Sequence, residues 1–538
     1  MRLFKCSVFS SLVYFAHVLL IVHSQEYQSD FINIDCGIPA DSNYTDSYTG
    51  LHYVSDSGFI DAGESKTIPP AYRSSSLQQQ LVTLRSFPQG TRNCYTLKPV
   101  QGRGNRYFIR AWFYYRNYDL KDRLPQFDLY LGVEKWDTIY FNQTTTRVQK
   151  EIIHVPTSDY IHVCLVNTGL GTPFISALDL RYFNRSMYTH DFGSLKLFTR
   201  VNFGESFGYY RYKDDIYDRY WRSSDYFNSS LLYNSENVTR YFGVYNLPAV
   251  VMETAIAPEN TSNPLKLEWE PTNKSDQFLI YLHFAEVQKL QTNQSREFNI
   301  YLNGNLWYDE TITPYDVITL TVESVAPEKP ESKYEIVLQK TNTSTLPPII
   351  NALELYTVRK FRQPQTDDQD VGSIVDIKSV YKVRKGNWQG DPCAPQAYAW
   401  DGVGCSYNDS ISPRITSLNL SSSGLSGKIS PSISNLTMII SLDLSNNNLS
   451  GEIPDFLSQL TFLRKLNLKD NKFTGSVPVD LLSKSESGLL LLCTDASLGG
   501  GGTNQCPPSS SENSSTARIA ASVVSGFVLI LIAVIVVL

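Results

Sequence analysis

Three short strings occur twice in this chain, in the same order and at nearly the same spacing. Arg110-Ala-Trp-Phe113 aligns with Tyr281-Leu-His-Phe284. Phe127-Asp-Leu-Tyr-Leu-Gly-Val-Glu-Lys-Trp136 aligns with Phe298-Asn-Ile-Tyr-Leu-Asn-Gly-Asn-Leu-Trp307, again 171 residues on. Ile175-Ser-Ala-Leu-Asp-Leu180 then matches Ile350-Asn-Ala-Leu-Glu-Leu355 at an offset of 175. A duplication of this kind restricts most of the chain to two copies of one module. Both copies alternate apolar and polar residues with period two, as half-buried strands do. Asn303-Gly304, set between Ile300-Tyr301-Leu302 and Leu306-Trp307-Tyr308, signals a hairpin because both residues tolerate positive φ. No long stretch from Phe31 to Tyr356 has helical period. The expected fold class is therefore mainly β, with two tandem jelly-roll-like β-sandwich modules over 30–184 and 195–358, each closing on its Ala-Leu-acid-Leu strand.

A different period follows. A polar linker over 359–387, with Asp367, Asp368 and Asp370, leads to Leu418-x-Leu420, Leu442-x-Leu444 and Leu466-x-Leu468, which recur every 24 residues. Each is followed by Leu425, Leu449 or Phe473 and then by Gly427, Gly451 or Gly475. This is a leucine-rich repeat pattern over 411–484, with Asn447 and Asn471 at the turn position and Ser423 replacing Asn in the first repeat. Ser-Gly-x-Ile-Pro at Ser450 to Pro454 marks the plant-type variant. Three repeats are near the minimum for a solenoid, so the ends need caps. Trp388-Gln-Gly-Asp-Pro-Cys393 and Trp400-Asp-Gly-Val-Gly-Cys405 predict an N-terminal cap over 388–410 with a Cys393–Cys405 bridge. Cys493 and Cys506 would close the other end within 485–517, whose Ser509 to Ser515 forms a polar spacer.

Residues 1–24 read as a secretory leader, with basic Arg2 and Lys5 before the apolar run Leu12 to Val22 and small Ser24 at its end. Ile519 to Leu538 is twenty residues without charge, long enough to cross a hydrocarbon core of about 30 Å as a helix. The expected placement is the plasma membrane, single-pass type I, with the N-terminal part extracellular. A glycolipid anchor is the alternative, since small Ser509, Ser510 and Ser511 precede the apolar tail.

The remaining composition agrees with export. Fourteen N-x-S/T sequons are present, at Asn43, Asn142, Asn184, Asn228, Asn237, Asn260, Asn273, Asn293, Asn342, Asn408, Asn419, Asn435, Asn448 and Asn513. Losing the two cations Arg2 and Lys5 with the leader takes the formal charge from −6 to −8, which disfavours nucleic acid as a partner. Outside the leader the cysteines are Cys36, Cys94, Cys164, Cys393, Cys405, Cys493 and Cys506. The first three leave one odd thiol; the expected pair is Cys36–Cys94, with Cys164 buried in the strand Ile161 to Val166.

No enzyme signature emerges. His52, His154, His162, His190 and His283 are scattered without metal spacing. Neither a Gly-x-Ser-x-Gly elbow nor a Walker loop is present; Gly499 to Gly502 lacks the following Lys. The Asp367–Asp370 cluster reads as solvated linker in preference to a calcium site. The expectation is no cofactor, no metal and no catalytic residue. Tyr209-Tyr-Arg-Tyr-Lys-Asp-Asp-Ile-Tyr-Asp-Arg-Tyr-Trp221 is the candidate binding segment. Its residues Tyr209, Tyr210, Tyr212, Asp215, Tyr217, Asp218, Arg219 and Trp221 combine flat rings with Asp and Arg, as carbohydrate sites do. The same composition also suits a packed seam between modules. Trp112-Phe-Tyr-Tyr-Arg-Asn-Tyr118 has similar character. Asn419 faces the concave surface of the repeats, where a glycan would obstruct the first repeat.

Phe31-Ile-Asn-Ile-Asp-Cys-Gly37, Phe87-Pro-Gln-Gly-Thr-Arg-Asn-Cys-Tyr95, His283-Phe-Ala-Glu286, Gly390-Asp-Pro-Cys393 and the repeats together resemble the ectodomain of plant malectin-like leucine-rich-repeat receptor kinases. That resemblance implies two malectin-like domains and a perception role at the plasma membrane, with an extracellular peptide or glycan ligand and a leucine-rich-repeat co-receptor as partners. It also implies a basic juxtamembrane segment and a Ser/Thr kinase, neither of which this sequence carries.

Overall fold

The computed structural model describes residues 30–498 apart from 75–76, 205–207, 225–228, 235–242, 317 and 409–410. The leader, the Ser-rich spacer, Cys506 and Ile519 to Leu538 lie outside the described residues, among which no helix is long and apolar enough to cross a membrane. The chain forms two compact units. The first comprises residues up to Gln365 with Lys385–Trp400 and Asp409–Ile411; the second comprises Thr366–Arg384, Asp401–Asn408 and the residues from Ser412 onward.

The first unit is built on one twelve-stranded sheet. Its path runs Asn43–Thr45, His52–Ser55, Ile32–Asp35, Ala177–Phe183, Arg106–Tyr114, Arg147–His154, Ser194–Asn202, Ala352–Arg359, Phe278–Phe284 and Leu320–Glu323. Two four-stranded sheets pack on it. One contains Arg92–Leu97, Ile161–Leu170, Gln126–Leu131 and Glu134–Ile139; the other contains Leu265–Trp269, Tyr334–Lys340, Phe298–Leu302 and Asn305–Leu306. Each repeated string of the sequence takes the same place in its own half. Ala177–Phe183 neighbours Arg106–Tyr114 just as Ala352–Arg359 neighbours Phe278–Phe284. The Asn303-Gly304 turn has φ of 49° and 81°, and Tyr301 pairs with Leu306 across it.

Alternation explains which residues fill which layer. Ile109, Ala111 and Phe113 enter one sandwich core with Leu129 and Val163. Ile280, Leu282 and Phe284 enter the other with Ile300 and Ile336. Yet Arg106–Tyr114 and Phe278–Phe284 are buried along their whole length. Both faces are covered, because Met187, Tyr188, Trp221, Leu247 and Val251 pack over the outer face on Phe108, Ile153, Tyr281 and Tyr356. Such doubly covered strands carry no clean hydrophobic alternation.

The halves meet where Arg147–His154 pairs with Ser194–Asn202 through Ile152–Lys196 and Ile153–Leu195. On one face Arg200 Nη1 donates to Glu151 Oε2 at 2.7 Å. On the other, Asp137 Oδ2 holds both Lys150 and Lys196 at 2.8 Å.

The cysteines correct one expectation. Cys94 and Cys164 are register partners on antiparallel strands, with Cα atoms 4.0 Å apart, and they form the disulfide. Cys36 follows the strand Ile32–Asp35 and is the buried free thiol among the described residues. Burial pushes its pKa well above the ordinary value. Cys393, Cys405 and Cys493 are disulfide-bonded as well.

Two further stretches differ from expectation. Of the residues expected to cap the repeats, Lys385–Trp400 belongs to the first unit. There Trp388 stacks on Trp400 at 4.8 Å, and Arg92 Nη1 donates to the Ala394 carbonyl at 3.2 Å. The expected linker holds the helix Asp368–Tyr381. Asp367 is its N-cap, accepting from the N–H groups of Gln369 and Asp370, and Asp368 and Asp370 sit favourably in its first turn. Asp370 is buried and accepts from Arg414 Nε at 2.9 Å and from the Ile415 N–H at 2.7 Å.

The second unit stacks the strands Ser441–Asp443, Lys465–Asn467 and Leu491–Cys493 in parallel after Ile411–Asn419, so that Leu418, Leu442, Leu466 and Leu492 align. Asn447 Nδ2 donates to the Leu420 and Leu444 carbonyls at 2.8 and 3.0 Å, while its Oδ1 accepts from the Ser423 and Leu425 N–H groups. Asn471 repeats this one turn later, donating to Leu444 and Leu468. Asn419 is exposed and in register with Asp443.

Candidate functional site

The aromatic, charged segment Tyr209 to Trp221 lies on the outer face of the large sheet, and Arg211, Asp215, Asp218, Arg219 and Trp221 are its buried residues. Asp218 adopts φ 59°, a left-handed conformation that Asp tolerates. Its carboxylate gathers three arginines: Arg181 Nη2 donates at 2.8 Å, Arg211 Nε and Nη2 donate at 2.7 and 2.8 Å, and Arg110 Nη2 completes the set. Arg110 Nε also donates to Asp179 Oδ2 at 2.9 Å and lies near Glu151. Glu151 passes the chain to Arg200, whose Nε donates to Glu354 Oε2 at 2.8 Å. Tyr188 and Tyr356 donate their hydroxyls to Glu354, and Arg219 reaches Tyr188 at 3.1 Å. Asp215 accepts from Arg219 Nε at 2.8 Å and Trp221 Nε1 at 2.7 Å.

Five guanidinium groups, from Arg110, Arg181, Arg200, Arg211 and Arg219, thus meet five carboxylates, from Glu151, Asp179, Asp215, Asp218 and Glu354. None of these ten residues is more than 3 % exposed. Burial alone would raise the Asp218 pKa, but Arg110, Arg211 and Arg181 outweigh it and hold the carboxyl far below its ordinary range. Glu354 is held low against burial in the same way, by Arg200, the His283 hydrogen bond and Arg219. Burial lowers the His283 pKa, and the ring sits with Nδ1 against Thr321 Oγ1 at 2.9 Å and Nε2 against Glu354 at 3.3 Å.

The acid of each Ala-Leu-acid-Leu strand is therefore an anchor of this network. The duplication extends to the bond: Trp112 Nε1 donates to Asp179 Oδ2 at 2.9 Å, and the aligned His283 meets Glu354. Sequence reasoning missed Arg110, Glu151, Arg181 and Arg200, although an acid repeated between apolar neighbours was a readable sign.

Four of the eight candidate ligand residues, Asp215, Asp218, Arg219 and Trp221, are wholly buried and have no surface to offer a ligand. This corrects their expected role, because their charges are neutralised internally. Tyr210 pairs with Trp221 across a short ladder, Tyr217 sits edge-on to Phe183 at 5.1 Å, and Tyr212 lies edge-on to Phe31 at 6.1 Å. Tyr209 is half-buried. It stacks on Tyr220 with centroids 4.5 Å apart, accepts from Gln78 Nε2 at 3.0 Å, and lies beneath Arg147. Arg147 and Gln78 had no sign in the sequence, since they come from a distant strand and loop, whereas Tyr220 stood inside the candidate segment.

Two clefts open elsewhere on the first unit. One of about 340 Å³ lies between Phe198, Phe203 and Trp269, with Arg222 and Glu268 as its charged lining. Another of about 330 Å³ is walled by Glu134, His154, His190 and residues 361–365. Burial takes the His154 pKa down to about 4, and Glu134, Asp191 and Arg362 supply the charged lining. No cluster of His, Cys, Asp or Glu among the described residues is arranged to hold a metal. Of the fourteen sequons, Asn228, Asn237 and Asn513 lie outside the described residues, and the other eleven asparagines are all exposed.

The family described as Malectin-like domain matches residues 34–358, and the Leucine Rich Repeat family matches 414–436, 438–460 and 462–483. A leucine-rich repeat receptor-like protein kinase of Arabidopsis thaliana is 46% identical over 435 residues, covering 79% of this chain and 48% of the relative. An LRR receptor-like serine/threonine-protein kinase of the same plant is 45% identical, over 79% of this chain and 49% of the relative. The chain thus spans about half the length of these relatives. Among solved structures, the ANX1 ectodomain from Arabidopsis thaliana superposes with a TM-score of 0.51 at 17% identity, covering 62% of this chain and 97% of that one. The plant receptor-like kinase FER gives 0.50 at 18% identity, over 61% and 96%. These likenesses concern the fold.

Proposed function

The chain belongs to the malectin-like domain family, and we propose from that premise that it is the ligand-binding, extracellular part of a receptor-like protein. In this reading 30–184 and 195–358 are two malectin-like modules that offer the ligand surface, and the repeat array docks a co-receptor. Ile519 to Leu538 holds the protein at the plasma membrane as a single span. The observation that carries the reading is the surface: eleven sequons exposed on a fold stapled by Cys94–Cys164, as secretory chemistry would finish it. The naming of the relatives as receptor-like kinases supports it. The reading assigns the described residues to binding, and the arginines and carboxylates gathered around Asp218 and Glu354 serve the interior, where they neutralise one another.

A chimera tests this. The chain is placed ahead of the kinase of a receptor-like kinase, expressed in plant cells and exposed to fractions of extracellular fluid. The expected result is a fraction-dependent rise in kinase phosphorylation. Surface expression with no response to any fraction would overturn the reading. Release from the membrane by a phosphoinositide-specific phospholipase would replace the span with a lipid anchor.

A further inference from the structure

The buried network balances charge for charge, but at one end of the sheet face the balance fails. Arg147 sits opposite Tyr114 in the strand pairing, and its guanidinium lies 5.3 Å from the Trp112 ring, 5.6 Å from Tyr220 and 5.7 Å from Tyr209. It donates to Tyr220 Oη at 2.9 Å. Arg116, two residues beyond Tyr114, lies over the Tyr114 ring at 4.9 Å and over Tyr72 at 5.9 Å. Both arginines are half-buried, and Tyr72 is 42 % exposed. Among the described residues neither has a carboxylate within 4.0 Å. The interior of the same sheet face leaves no arginine so.

We propose that this arginine–tyrosine ridge is a docking surface for an acidic peptide segment of an extracellular partner. Arg147 donates from Nη1 to Gln78 and from Nη2 to Tyr220, and Arg116 donates from Nε to Tyr114, which leaves further N–H groups of each five-donor guanidinium unspent, and two parallel N–H groups match a carboxylate bidentately. The ring faces that a sugar would stack on are already taken, by Tyr209 on Tyr220 and by the arginines themselves. The hydroxyls of Tyr220, Tyr114 and Tyr209 already accept from Arg147, Arg116 and Gln78, so the unspent groups of the ridge are guanidinium N–H donors. Carboxylate-bearing side chains fit that chemistry better than a saccharide does. The proposal rests on the reading of the chain as a binding ectodomain and names the partner's character.

The test uses the full chain in a mild detergent, with fluorescein-labelled hexaglutamate as probe and anisotropy as readout. Hexalysine and trigalacturonate serve as the other two arms. Hexaglutamate is expected to bind, more weakly as salt rises. Arg147→Gln and Arg116→Gln should each weaken it about three- to tenfold, with the melting temperature unchanged. Equal binding by the double variant overturns the proposal. So does trigalacturonate binding that depends on the arginines while hexaglutamate fails, which would make the ridge a uronate site. A failure here with the chimera still responding removes this surface alone; failure of both removes the receptor reading.

Discussion

Asp218→Asn is the sharpest probe of the fold's interior. The substitution keeps the side-chain shape but removes the one charge that Arg110, Arg181 and Arg211 share. It also sets an amide N–H₂ against guanidinium donors. Removing one partner from a buried ionic cluster costs about 3–5 kcal/mol, because the remaining charges stay buried without compensation. For a unit of roughly 380 residues, an unfolding entropy near 2.1 cal/mol/K per residue gives about 0.8 kcal/mol per degree. The loss should therefore lower the calorimetric Tm by about 4–6 °C at pH 7. Asp191→Asn is the control. Its carboxylate is 97 % exposed and 3.7 Å from Arg106, so its removal should change stability by less than about 0.5 kcal/mol. The pH dependence has a definite sign. Asp218 titrates lower in the folded chain than in the unfolded one, so its contribution is complete above about pH 4 and is lost as pH falls below that. The gap between wild type and variant should narrow on acidification below pH 4. A Tm within 1 °C of wild type, or a gap that widens in acid, would refute the reasoning.

Asp35 should behave in the opposite sense. Burial raises its pKa to about 7, against hydrogen bonds from Thr83 at 2.6 Å and Tyr44 at 2.8 Å. Wild-type stability should then fall as pH rises from about 4 to 7, and Asp35→Asn should flatten that slope. The variant's gain at pH 8 is bounded at about 4 kcal/mol, read from melting curves at pH 5 and 8. Replacing Cys94 and Cys164 by Ser opens a loop with a sequence separation of 70 and should cost about 4 kcal/mol in denaturant titration. Alkylation of the unreduced, denatured wild type should label Cys36 and neither of that pair. Gly390 has φ 66°, and a Cβ there would lie 2.6 Å from Cys94 Sγ and 2.9 Å from Arg92 Nη2. Gly390→Ala should free Lys385–Trp400 from the first unit at a cost of about 1–3 kcal/mol, seen as new proteolytic cleavage in that stretch.

What the sequence disclosed followed periodicity. The repeated strings mark strands because alternation is local, and the repeats of 24 are visible because each one buries the same leucines. Even the polar anchors Asp179 and Glu354 stood inside the duplicated motif. Pairings across distance were not legible. Whether Cys94 meets Cys36 or Cys164 depends on a strand register set 70 residues away. The acids at 367–370 resembled a solvated linker, yet they cap and charge a helix, and Asp370 finds its partner 44 residues later in Arg414. For Tyr209 to Trp221 composition was informative and direction was not. Rings and charges in one segment suit a sugar site or a packed seam equally, and only the neighbours show which way each side chain points.

The pairing of Arg147–His154 with Ser194–Asn202 removes a degree of freedom. Two lobes joined by a loop can close on a ligand like a clamshell, and that motion can itself be the signal. Here the lobes share a backbone ladder, with Glu151–Arg200 bolted across one face and Lys150–Asp137–Lys196 across the other. Bending at that seam would tear both clasps at once. Under the receptor reading proposed above, a protein so braced meets its ligand as a fixed platform and not as a hinge.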